Sequence, residues 1–166
     1  MRSKPGRILR EGLIGGVVAY AAVVLVFAVL NAVQGRSIFH TAAAMGAVFF
    51  YGADASSRFV VEAGPVLAYN GVHLLGSIAV ATVAAFQVFE TERHVSFWYF
   101  PFTVLVAAIL YSITVFGVFG VEIGGVLDWS TVNIGTAVWV GSMTGYFVWV
   151  HRGLMRRIRE DAETGA

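Results

Sequence analysis

Apolar residues in this chain gather into stretches long enough to cross a bilayer, which takes about 20 residues of α-helix. They cover residues 12–33, 66–89, 97–120 and 131–150, with a shorter run at 38–53. A soluble domain is about a quarter charged and under half apolar. Here 58% of 166 residues are apolar and 13% charged, with a mean hydropathy of +0.77. The expected fold is an all-α polytopic membrane protein, one helical membrane domain over 1–166. The alternating segments of about ten residues that mark an outer-membrane barrel are absent. With no cysteine, disulfides, thiolate metal sites and thiol catalysis are excluded. The run at 12–33 is too long for a signal peptide and no small-residue cleavage site follows it, so it reads as an uncleaved first span.

The segment 38–53 decides the topology. Gln34-Gly35-Arg36-Ser37 ends the first span, and Ser37 is placed to cap a helix starting at Ile38. That helix is apolar only to Gly52 and carries a polar tail to Glu62, after which Gly64-Pro65 breaks the chain before the next span. If it does not cross, four spans leave both basic ends (1–11 and 151–166) and Arg93 on one side, nine basic residues against Arg36 and Arg58. If it crosses, five spans divide the same charges five against six. Basic residues concentrate on the cytoplasmic side, which favours four spans with an interfacial or re-entrant second helix; five spans is the alternative. Trp98, Tyr99, Tyr146 and Trp149 then mark the inner interface and Trp129 the outer one. Multi-pass insertion in a cytoplasmic-type membrane with both termini cytoplasmic is the expected location.

The candidate site lies between Tyr51 and Ser77. Tyr51, Asp54, Arg58 and Glu62 are spaced three, four and four apart, so on a helix they share a face, as do Asn70, His73 and Ser77. Around a tight Gly64-Pro65 hairpin, His73 lies roughly 12 Å from the turn, and Arg58 and Asp54 roughly 10 and 16 Å. Ionisable groups at membrane depth mark ion, proton or ligand sites; the bland reading of Asp54, Arg58, Glu62, Asn70 and His73 is an interhelix clamp. His40 and His73 are weak metal candidates, some 24 Å apart in depth in a straight hairpin and so unable to share an iron. His94 and His151 fall in a charged loop and a basic end and have no ligand partner at i+3 or i+4.

Phosphate-binding glycine loops, the HExxH pattern and serine-nucleophile elbows are missing from the sequence, so no enzymatic activity and no cofactor are expected. Gly12-x-x-x-Gly16 and Gly141-x-x-x-Gly145 allow close helix approach, within the bundle or between copies. The stretch 151–159, HRGLMRRIR, sets Leu154 and Ile158 on one face among arginines, a surface for anionic lipid. Nothing in it resembles nucleic-acid recognition. The leading expectation is a non-enzymatic accessory or structural component of a membrane assembly. A transporter or proton relay built on the Asp/Arg/Glu/His cluster is the alternative, and a haem or metal redox subunit comes third.

Overall fold

The computed structural model describes residues 4–52, 60–93 and 129–164, all of their regular structure helical. Asp54, Arg58 and the expected span at 97–120 lie outside the described residues. The helices are α1 (Lys4–Val33), α2 (His40–Tyr51), α3 (Ala63–Arg93), α4 (Trp129–Val150) and α5 (Arg152–Thr164).

Two segments, Pro5–Val33 and Ala63–Arg93, are long and apolar enough to cross a membrane, and only 22% of each apolar window is buried. Leu25, Leu67 and Leu75 are about two-thirds exposed. Contiguous apolar surface of this extent is rare on a soluble monomer; it suits a lipid-facing exterior and associates the chain with a membrane.

Small residues set the packing. Gly12 lies over Thr82 of α3, and a Cβ on Gly16 would fall 2.5 Å from the Ile78 Cα. Ala19, Ala81 and Ala85 are fully buried between the same helices, so the two backbones meet without side chains to hold them apart. Sequence number rises along α1 as it falls along α3, which makes the pair antiparallel. α4 runs against α1, with Gly15 beside Tyr146 and Gly135 beside Phe27. It therefore runs parallel to α3, in agreement with the Trp139–Ser77 and His151–Glu92 contacts, whose numbers rise together along the two segments. Met143 and Phe147 of α4 close the core over Ala19, Ala81 and Ala85.

α1 ends where the sequence places its stop. Gly35 takes φ +67, and Arg36 N–H bonds the Asn31 carbonyl (2.8 Å) while Gly35 N–H bonds Ala32 (3.0 Å), the double bond of a glycine-terminated helix. The next helix begins at His40, two residues later than Ser37 as a cap implies. Phe39 holds the cap position without a side-chain bond, because the Ser37 hydroxyl is turned to the Phe39 N–H (3.3 Å) inside the connecting turn. α2 has 12 residues, about 18 Å at 1.5 Å per residue, well short of a bilayer core. It is buried continuously from Ala43 to Val48, with Gly46 pressed on the Pro65 carbonyl at the start of α3. It stops at Tyr51, and Gly52 follows at φ +85.

Candidate functional site

Two polar constellations occupy opposite ends of the bundle. The first surrounds a cavity of about 220 Å³ between α1, α2, α3 and α4. Its walls are mostly apolar or aromatic: Val23 and Phe27 from α1, Met45 from α2, Tyr69 and His73 from α3, Val132 and Trp139 from α4. Met45 and Val48 pack on Tyr69 and Val132, so α2 forms one wall. The His73 ring meets Tyr20 edge-on at 5.6 Å and Tyr69 at 5.7 Å between centroids, and Tyr69 stacks on Phe49 at 6.3 Å.

Hydrogen bonds divide the polar groups here into used and unused. Trp139 Nε1 donates to Ser77 Oγ (2.9 Å), Thr136 Oγ1 to the Val132 carbonyl (3.1 Å), and Thr41 Oγ1 to Asn31 Oδ1 (3.1 Å). Asn31 also donates to the Ile38 carbonyl (3.2 Å), tying the corner between α1 and α2. Asn70 is used twice: it accepts from the Tyr20 hydroxyl (2.9 Å) and donates to the Val66 carbonyl (2.8 Å). The imidazole of His73 and the hydroxyls of Tyr69 and Thr131, which all line the cavity, carry no hydrogen bond among the described residues.

The sequence-predicted site residues thus separate. Asn70 and His73 sit one turn apart on α3 as expected, and the polar partner they meet is Tyr20 of α1. Glu62 lies on a non-helical, exposed segment before α3. His40, the other weak metal candidate, opens α2, and burial followed by the Arg36 guanidinium holds its imidazole below the ordinary histidine range. No group of three or more His, Asp or Glu suited to a metal occurs among the described residues.

The second constellation was hidden in the sequence. His151, in the turn between α4 and α5, is buried with Nε2 2.8 Å from Glu11 Oε2 and Nδ1 2.7 Å from Glu92 Oε1. Glu11 belongs to α1 and Glu92 to α3, so one imidazole joins three elements. Glu11 is 3% exposed and Glu92 28%. Arg7 reaches Glu11 at 3.8 Å and lies 4.7 Å over the Phe89 ring, while Phe89 meets His151 edge-on at 5.6 Å. One imidazole thus lies between two carboxyl groups from two helices, with the Arg7 guanidinium beside the more deeply buried of them. Burial of charge is tolerated only with such pairing.

No family model matches this chain, and neither a curated protein nor a solved structure does. Function therefore rests on the geometry.

Proposed function

We propose that the chain is a four-span integral membrane protein with an interfacial or re-entrant α2 and both termini cytoplasmic, acting without catalysis as a self-associating component of a membrane assembly. The helix directions support the topology. Antiparallel α1 and α3 require an even number of crossings between them, which fits an α2 that does not cross, whether it lies at the interface or enters and returns. Parallel α3 and α4 require the chain to recross between Arg93 and Trp129, where the sequence reading puts its span at 97–120. Arg7, Arg10, Arg93 and Arg152 then belong to one end of the bundle and Arg36 to the other, the bias that cytoplasmic loops carry.

The assembly role is carried by one contrast. Gly12 and Gly16 are consumed inside the bundle, whereas Gly141 and Gly145 are exposed and meet nothing within 4 Å among the described residues. The same small-residue patch on two copies is self-complementary, as a two-fold contact requires. Oxidative crosslinking in native membranes tests this. Gly145→Cys is expected to give a species of twice the chain's mass and Gly12→Cys none; a Gly145→Cys protein that stays monomeric would count against the reading.

Proton relay is a second reading, favoured by the Glu11–His151–Glu92 line of titratable groups. It predicts proton flux in proteoliposomes that Glu11→Gln abolishes while the fold persists. Absence of flux from the unaltered protein would dismiss it.

A further inference from the structure

Among the described residues the cavity is lined by no charged side chain, so the walls they form offer neither an anion nor a cation a counter-charge. It is a half-open pocket rather than a sealed void; an apolar cavity of about 150 Å³ takes up benzene, so about 220 Å³ has room for a ring with a substituent. Four rings border it, those of Phe27, Tyr69, His73 and Trp139, and aromatic guests pack edge-on or offset against such walls. Three groups that both donate and accept, the Tyr69 and Thr131 hydroxyls and a neutral His73 imidazole, face this space with no bond among the described residues.

We propose that this cavity is a binding site for a small neutral aromatic alcohol, of the phenol class, whose hydroxyl is held by Tyr69 and His73. An acyl chain would fill the volume and leave those polar groups unpaired beside hydrocarbon, which costs free energy. A phenol satisfies the apolar walls and the polar edge together. Trp139 cannot replace them as the reader of the hydroxyl, because its N–H is committed to Ser77. The wall from α2 places the site in the half of the bundle opposite His151, between one short helix and three long ones.

The test is ¹⁹F NMR of the full chain in detergent micelles with 4-fluorophenol and its matched non-hydroxylic analogue 4-fluorotoluene. A saturable bound signal is expected for both, with 4-fluorophenol tighter. Tyr69→Phe and His73→Phe each keep a ring in place and are expected to weaken 4-fluorophenol by about five- to tenfold, leaving 4-fluorotoluene unchanged. Thermal unfolding of each variant checks that it folds, and Thr131→Val supplies a third, smaller perturbation. No saturable binding of 4-fluorophenol, or binding that folded Tyr69→Phe and His73→Phe proteins leave unaltered, would overturn the proposal. So would equal affinity for the two probes.

Discussion

His151 closes a contact between residues 140 and 59 positions away in the chain, and its surroundings decide what each partner is worth. Removing one member of a buried charge pair strands the other, at a cost of about 3–5 kcal/mol. His151→Ala is expected to lose stability on that scale in thermal unfolding. Glu11→Gln should cost more than Glu92→Gln, because Glu92 remains partly exposed and water can serve its ring-facing partner; equal losses would contradict the burial argument. The polar clamps deeper in the bundle are smaller effects. Trp139→Phe leaves the Ser77 hydroxyl buried without its donor and is expected to cost about 1–3 kcal/mol by the same measurement.

Legibility differed sharply between such residues. Asn70 and His73 interrupt an apolar run, so a scan for polar residues at membrane depth finds them. Glu11, Glu92 and His151 sit just beyond apolar runs, among arginines and other acids, where each reads as solvated. Only the folded chain brings them to one point. The available signal was slight: Glu11 is the one acid among the first eleven residues, directly before the first apolar run. Asn31 was overlooked for the opposite reason. It lies near the end of a run and looks like part of the loop, yet it is buried and holds the α1–α2 corner.

At the scale of elements, apolar length and glycine placement carried most of the fold. The expected spans at 12–33, 66–89 and 131–150 fall within α1, α3 and α4, each of which extends past its apolar core. The ends escaped hydropathy because α1 and α3 continue as helix into charged residues that bond one another. The amphipathic segment after His151 forms α5, laced by Arg156–Glu160 (3.9 Å) and Arg159–Glu163 (3.4 Å) pairs and exposed on that side. Its arginines leave anionic lipid as a proposed partner.

Glycine position, not glycine content, should govern packing. A side chain on Gly16 meets the α3 backbone at Ile78, and overpacking of that kind costs about 1–3 kcal/mol. Gly16→Val is therefore expected to lower the unfolding midpoint, whereas Gly141→Val, on an open face, should leave it nearly unchanged and reduce crosslinking between copies. A reversed order would show that α4 and not α1 carries the tight interface.

The whole molecule turns on whether residues 38–62 cross the membrane. Charge counting favours a return to the same side, α2 is too short to span, and α1 and α3 lie antiparallel; these are three independent arguments for one topology. The absence of cysteine makes the decisive measurement clean, since every reporter thiol is introduced. Single Ser3→Cys, Ser37→Cys, Glu62→Cys and Thr164→Cys proteins are labelled with a membrane-impermeant maleimide, in intact cells and in inverted vesicles. The account predicts that positions 3 and 164 react only in inverted vesicles and that positions 37 and 62 react together in intact cells. Labelling of 37 and 62 from opposite sides would contradict it.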